Sequence, residues 1–457
     1  MIEMDSAQLG ELFPQSSEMP GFAFKGVETD SRKDCAGKLF VALRGERFDG
    51  HDYVALAAQK GAVAALVEHA CDAGLPQLKV DDCRLAMGHL ARWWRQQLSP
   101  RVVAITGSNG KTTVKEMLGR ILRSHAPALV TSGNLNNDLG VPMTLMRLNS
   151  EQRFAVIEMG ANHQGEISYL VSVAQPDIVY VNNAGAAHVE GFGSLRGVVK
   201  GKGEMYRDCR REALAVFNDD EQATSYWRQH AASEHSMSFS AQHDCDVRVN
   251  FEPVADGLQL NFKYADTEAR CTILQHGAHN ARNAGAAVTL ALACGLELHQ
   301  AVAALDGFGG VSGRQQAVNG VNQSCLIDDS YNANPDSLRA AVDVLCALPG
   351  TPWLALGDMA ELGGDALLMH HSAIGQALDA GVQRVFAVGS LACRAAQAYP
   401  GQALCFDDHQ QLAEHLLPRL KKGVNLLIKG SRSARMEQLV ALLKETARIE
   451  SETRHAV

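Results

Sequence analysis

The sequence predicts an α/β protein of three domains, and three observations predict it. Apolar strand-like runs alternate with helical stretches along most of the chain, the pattern of βαβ units and mainly parallel sheets. The 457 residues are about three times a typical single domain, so two or three cores are expected. A Gly-rich stretch, Phe308-Gly-Gly-Val-Ser-Gly313, marks a hinge where one α/β pattern ends and another begins. The expected division is a small N-terminal α/β module (1–98), a central P-loop domain with a mainly parallel sheet (99–312) and a Rossmann-like C-terminal domain (313–457).

Each region supports its own assignment. In the first, the apolar runs Lys38–Leu43 and Ala62–Val67 flank a polar turn and one helix. In the second, the strand-like runs Val102–Ile105, Phe154–Ile157, Ile178–Val181 and Leu214–Phe217 are spaced by helical stretches. Val247–Phe251 and Leu258–Tyr264 alternate apolar and polar residues around Asp256-Gly257, which predicts an inserted antiparallel hairpin. In the third, Trp353–Leu356, Val385–Val388 and Leu426–Ile428 again alternate with helices.

Composition narrows the function classes. With 46% hydrophobic and 20% charged residues the chain reads as soluble and globular, and a net charge of −9 supplies no general attraction for nucleic acid or an anionic membrane. Anionic ligands therefore require local basic sites. The start Met1-Ile-Glu-Met-Asp5 has neither a basic nor an apolar leader segment, and no apolar run approaches the roughly 18 residues of a membrane span, so a cytoplasmic protein is expected. The eleven cysteines are scattered without a C-x-x-C pair, which predicts reduced, mostly buried thiols.

The strongest chemical signal is Thr106-Gly-Ser-Asn-Gly-Lys-Thr-Thr113, which follows an apolar strand and opens a predicted helix, Val114–Arg123. Gly107 and Gly110 let the backbone curl until the N–H groups of this loop converge on phosphate oxygens, and the helix adds its positive end. Lys111 is suited to the β/γ-phosphates and Thr112 to a Mg²⁺ ion. The spacing departs from the usual P-loop, because Ile105 stands where that pattern has its first glycine. Glu158 ends a strand at the edge where open α/β sheets place ligands, and a carboxylate there suits Mg²⁺. His188 follows another strand and reads equally as a ligand or an ordinary histidine. Lys202, between two glycines, reads on spacing alone as a solvated residue near a helix start.

Together these segments carry a resemblance. The loop 106–113, Glu158-Met-Gly160, His188-Val-Glu-Gly-Phe-Gly193, Lys202, Gly277-Ala-His-Asn280 with Asn283, Gly313-Arg314 and Asp329-Ser-Tyr-Asn-Ala-Asn-Pro335 occur in the order of the Mur ligase family, over essentially the whole chain. Gly133–Asn137, Glu158–His163, Ser330–Pro335 and Leu356–Gly363 resemble the member that joins D-alanyl-D-alanine to UDP-N-acetylmuramoyl-tripeptide. The resemblance implies a monomeric ATP-dependent ligase of peptidoglycan precursor synthesis that works through an acyl phosphate. It implies that Gly107, Ser108, Asn109, Gly110, Lys111, Thr112 and Thr113 hold the ATP phosphates, with Asn280 and Asn283 near adenine and Asp329 near ribose. Lys111, His188, Lys202 and Arg314 are its catalytic group. Thr112 and Glu158 are expected at one Mg²⁺, with His188 and a carbamylated Lys202 at a second. For the substrates it points to Ser31 and Arg44 in a UDP-sugar-binding first domain, to Asn134, Asn137, Asn162 and His163 in the centre, and to Tyr331, Asn332 and Asn334 in a third domain that takes D-Ala-D-Ala and closes on ATP. Lysine and diaminopimelate at the third peptide position differ by one carboxylate, and no single arginine is assigned to it.

Overall fold

A computed structural model describes residues 1–14, 21–185 and 189–444. Its central sheet is built on the P-loop strand Arg101–Thr106, which lies between Phe154–Glu158 on one side and Ile178–Val181 on the other, all parallel. The chain passes from the P-loop strand to the edge strand Ala128–Val130, returns to Phe154–Glu158, and then crosses to the opposite side. The strand order thus reverses at Arg101–Thr106, and the crevice outside the strand ends there is the natural ligand site of an open α/β sheet. Leu214–Asn218 and His235–Ser240 extend the sheet in parallel.

Alternation along these strands explains the two-sided core. Val102, Ala104, Ala155, Ile157 and Val179 face one core, shared with helices Gly140–Leu145, Glu166–Ala174 and Leu195–Arg207. Val103, Ile105, Val156 and Tyr180 face the other, against helices Lys111–His125 and Ala278–Ala293. Fully burying one such Val or Ile contributes about 1.5–3 kcal/mol, so strand register is fixed by its apolar pattern on both faces.

The predicted hairpin forms between Val247–Val254 and Gly257–Tyr264. A third strand, Thr267–Ile273, completes an antiparallel meander that joins the central sheet through parallel pairing of Phe239 and Ser240 with Val247 and Arg248.

The N-terminal region has a parallel four-stranded sheet, Val27–Glu28, Leu39–Val41, Ala64–Val67 and Gln77–Lys79. It holds more helix than its sequence suggested, including Cys83–Gln97, which lies against Gly140–Leu145 and Glu166–Ala174. Ile2, Leu39, Leu66, Met87 and Leu90 belong to the same core as the first face of the central sheet. The Met1 ammonium and the Trp94 indole both donate to the Leu148 carbonyl, at 2.7 and 3.0 Å. The module is therefore docked firmly on the central sheet.

The C-terminal sheet runs Gln316–Asn319, Cys325–Asp329, Val424–Lys429, Thr351–Gly357, Arg384–Val388, Ala403–Phe406, parallel except for its first strand. One expectation is corrected here. Cys393 and Cys405 form a disulfide between helix Ser390–Ala396 and the last strand, while nine other cysteines are free. The two thiols stand 12 residues apart and meet only because the edge strand packs beside that helix, so local spacing gave no sign of them.

Candidate active site

A cleft of about 700 Å³ opens at the strand-order reversal, walled by the P-loop, the ends of the central strands, the start of helix Ala278–Ala293 and the C-terminal region. The P-loop helix begins at Lys111, earlier than its apolar pattern indicated, because Gly110 caps it with a φ of 77°. A Cβ on Gly110 would stand 2.4 Å from Asn182 Nδ2 and 2.7 Å from Asn283 Oδ1. Those two side chains are themselves joined at 3.1 Å, and Asn182 also donates to the Asn109 carbonyl at 2.7 Å. Ser108 and Gly185 exchange hydrogen bonds of 3.0 and 3.2 Å. The loop is thus held by Asn182 and Asn183 from the neighbouring strand end and Asn283 from the helix, with the Ser108 and Asn109 N–H groups donating to the Asn183 carbonyl and Oδ1 at 3.0 and 2.8 Å.

Lys111 Nζ donates to the Gly107 carbonyl and, at 3.2 Å, to that of Ser108. Burial pushes its ammonium down to about 8, a shift that the Glu158 carboxylate opposes and Arg314 reinforces. Glu158 is 2% exposed and fully engaged. One oxygen accepts from Thr112 Oγ1 at 3.0 Å, the other from Asn136 Nδ2 at 2.8 Å, and Lys115 Nζ lies 3.8 Å away. A buried carboxylate beside a hydroxyl, at the mouth of a phosphate loop, is a hard-oxygen donor set that fits Mg²⁺. Among the described residues no cluster of three or more His, Cys, Asp or Glu side chains is placed to hold a metal unaided.

Arg314, just after the Gly-rich stretch, donates to Thr112 Oγ1 at 3.1 Å while its guanidinium stacks 4.0 Å from the centre of the Tyr331 ring. Its buried Nε has no partner among the described residues. Asn334 caps helix Pro335–Ala347 through Ser337 and donates to Asn109 Oδ1 at 2.9 Å. Two side chains of the C-terminal region therefore touch the P-loop directly.

Three matched segments span most of the chain: the Mur ligase family catalytic domain at residues 23–95, the Mur ligase middle domain at 105–291 and the Mur ligase glutamate ligase domain at 313–432. The chain belongs to the Mur ligase family. It is 42% identical to the UDP-N-acetylmuramoyl-tripeptide–D-alanyl-D-alanine ligase of Escherichia coli (strain K12), over 97% of this chain and 99% of that one. The corresponding Haemophilus influenzae ligase is 38% identical with the same coverage. Among solved structures, MurF from Acinetobacter baumannii superposes with a TM-score of 0.90 at 36% identity, covering 97% of this chain and 99% of that one.

The remaining family positions divide into three groups. Asn134, Asn137, Asn162, Asn280, Asn283, Asp329, Tyr331 and Asn332 line the cleft together with Ser108, Asn109 and Thr113. Asn283 donates to Asn280 Oδ1 at 3.1 Å, and Asp329 is paired with Lys429 at 2.5 Å, although burial still pushes the Asp329 carboxyl upward. Ser31 and Arg44 are not among the cleft residues; Ser31 is buried, and Arg44 pairs with Asp49 at 2.9 Å in the N-terminal module. His163 is exposed and bonded to Glu166 at 3.0 Å. His188 lies outside the described residues.

Lys202 corrects the reading of a solvated helix-start residue, being 0% exposed in the middle of helix Leu195–Arg207. Its Nζ donates to the Ala161 carbonyl at 2.9 Å and stands 5.1 Å from the centre of the Phe192 ring. Desolvation pushes its ammonium down to about 7. The flanking glycines have a packing cause: a Cβ on Gly201 would meet the Phe192 ring at 2.3 Å, and one on Gly203 the Trp227 ring at 2.8 Å. Asn136, Asn182, Lys115 and Glu204 were missed from sequence. Glu204 is 2% exposed and caps helix Glu166–Ala174 by accepting from Gly165 N at 2.7 Å and Ser168 N at 3.1 Å.

Proposed function

We propose that the chain joins D-alanyl-D-alanine to UDP-N-acetylmuramoyl-tripeptide with ATP, as a monomer in the cytoplasm, and so makes the pentapeptide precursor of peptidoglycan. The observation that carries this reading is the convergence of Lys111, the Thr112–Glu158 pair and Arg314 on one cleft. The full-length similarity to D-alanyl-D-alanine ligases of this family supports the choice of substrates.

The chemistry follows from what a carboxylate lacks. It is a poor acyl donor at neutral pH, so one oxygen of the tripeptide's terminal carboxylate attacks the γ-phosphorus of ATP and the bond to the ADP oxygen breaks. The dipeptide amine then attacks the acyl carbon. Phosphate leaves with its bonding electron pair, and the excess amine proton passes to solvent. The first step spreads charge over phosphoryl oxygens, so the protein's task is positioning and electrostatic stabilisation. Lys111 and Arg314 supply fixed positive charge, and the N–H groups at the start of the P-loop helix orient the phosphates. Thr112 and Glu158 would hold a Mg²⁺ ion, which neutralises phosphate charge when bound.

Lys202 fits the proposed carbamate. A free amine, not an ammonium, adds to CO₂, and burial leaves much of this side chain unprotonated near neutral pH. As an anion with His188 it would serve a second Mg²⁺. The N-terminal module (1–98) is assigned the UDP-sugar, the central domain (99–312) ATP, and the C-terminal domain (313–457) the dipeptide. The test is phosphate release and product mass with ATP, Mg²⁺, UDP-N-acetylmuramoyl-tripeptide and D-Ala-D-Ala, each omitted in turn. A product heavier by one intact D-Ala-D-Ala unit is expected. Equal rates with single amino acids would reassign the chain to another ligase of the family.

A further inference from the structure

Accessibility sets the Cys393–Cys405 pair apart from the other cysteines. The nine free thiols are all buried or half-buried, and burial pushes every one of them upward, away from the thiolate that reacts. Cys405 alone is exposed, on the edge strand Ala403–Phe406. Its partner Cys393 is half-buried in helix Ser390–Ala396, and their Cα atoms stand 5.1 Å apart. That separation lies inside the range of roughly 4.4–6.8 Å over which two cysteines join without backbone movement, so the pair can open and close in place. In the cytoplasm proposed for this chain small thiols keep most cysteines reduced, and a disulfide formed there is usually transient and redox-sensing.

A short run of hydrogen bonds connects this pair to the cleft. Cys393 lies in the first turn of its seven-residue helix, and the disulfide fastens that turn to the edge strand. Asp358 holds the same turn, its Oδ1 accepting from Leu391 N at 3.0 Å and Ala392 N at 2.8 Å. The Asp358 carbonyl accepts in turn from Ser431 N and Oγ at 2.9 and 2.6 Å. Ser431 is 1% exposed, and its neighbour Arg432 lines the cleft 5.9 Å from the centre of the Tyr331 ring. The cleft wall of the domain assigned the dipeptide therefore hangs on an element that the disulfide steadies.

We infer that Cys393 and Cys405 form a reversible modification site for low-molecular-weight disulfides, whose oxidised state firms the cleft wall that the dipeptide meets. The Cys405 thiolate attacks one sulfur of the small disulfide, whose S–S bond breaks, and one half leaves as a thiolate. The Cys393 thiolate then attacks the Cys405 sulfur of the mixed disulfide and expels the second half. Two electrons pass from the protein to the reagent, and the protons given up by the two cysteines end on the two released thiols. Small thiols run the same steps in reverse. The kinetic part of the inference rests on the ligase reading above. The test equilibrates the full chain with reduced or oxidised glutathione and follows cysteine labelling by mass, melting temperature and KM. Oxidation should close this pair alone and raise the melting temperature by several degrees, and reduced glutathione should reverse both. The KM for D-Ala-D-Ala should be about threefold or more higher in the reduced chain, the scale of linked contacts, with the KM for ATP unchanged. Cys393→Ser, lacking the second thiol, should retain one glutathione on Cys405, whereas Cys405→Ser should take up none. Equal uptake by Cys405→Ser, a bond that reduced glutathione does not reopen, or the same dipeptide KM in both redox states overturns the inference. Failure of the ligase reading is distinguishable, because neither redox state would then form a dipeptide adduct while glutathione uptake and melting temperature still responded.

Discussion

Lys202 shows how a single residue can be costly to the fold and still retained. Its ammonium is buried against an aromatic ring and one carbonyl, and desolvation lowers its proton affinity to about 7. An unfolded lysine titrates near 10.4. The folded group is the weaker base, so the stability it withholds is fully recovered above the unfolded value and lost as pH falls toward about 7. In CO₂-free protein, where the side chain is an amine, Lys202→Met should therefore raise the melting temperature more at pH 7 than at pH 10, and it should abolish ligation; a gain that does not depend on pH would refute a buried, titrating amine. Glu158→Gln keeps the shape of its site but removes the charge, so the Mg²⁺ concentration for half-maximal activity should rise at least about tenfold. Unchanged Mg²⁺ dependence would place the metal elsewhere. These roles were unevenly legible. Glu158 announced itself as a carboxylate at a strand end, whereas the burial of Lys202 depends on Phe192 and Trp227 packing over its neighbouring glycines. No local pattern encodes that contact.

At the scale of the element, the P-loop shows why the strands were readable and the loop's supports were not. The four central runs recognised by their apolar residues all form strands, because residues buried on both faces leave a continuous apolar signature. Ile105, which replaces the first glycine of the usual pattern, is still within the strand, pairs with Tyr180 and Glu158, and is wholly buried. Thr106 still pairs with Val181, so the turn starts only at Gly107. Asn182 reaches the loop and Asn136 reaches Glu158 from separate connections, and an asparagine after a strand looks like any turn residue until the fold brings it in. Gly110 is the sharpest test of this arrangement. Gly110→Ala adds left-handed strain of about 1–2 kcal/mol and drives a methyl group into Asn182 and Asn283. ATP affinity should fall at least about tenfold with the far-ultraviolet spectrum preserved. Lys111→Ala, which leaves the loop shape intact, should instead cost at least about 10³-fold in turnover, the scale of a lost phosphoryl-transfer charge. Normal ATP binding by Gly110→Ala would mean that the loop tolerates a different curl.

For the whole molecule, the contact between the central and C-terminal regions decides whether the cleft is a complete site. Arg314 bonds Thr112 and Asn334 bonds Asn109, and behind them His279 Nε2 meets Gln315 Oε1 at 3.0 Å. Burial pushes His279 down to about 4, so that junction stays uncharged across the physiological range. These contacts flank the Gly-rich hinge expected from Phe308–Gly313, and only the first and second reach the P-loop itself. Closure would bring positive charge to the transferred phosphate and exclude water from an acyl phosphate. The Asn109–Asn334 bond can be isolated although Asn334 also caps a helix, a role worth about 0.5–2 kcal/mol to stability. Asn109→Ala removes the bridge without touching the cap. It should lower turnover by about five- to tenfold, the value of one net hydrogen bond, at nearly unchanged melting temperature. Asn334→Ala should show a similar loss of turnover together with reduced stability. If the two side chains act only through each other in catalysis, the double variant will turn over no more slowly than Asn334→Ala alone. Multiplying losses in the double variant would instead mean that each asparagine meets the substrates independently and that the bond between them does not hold the cleft closed.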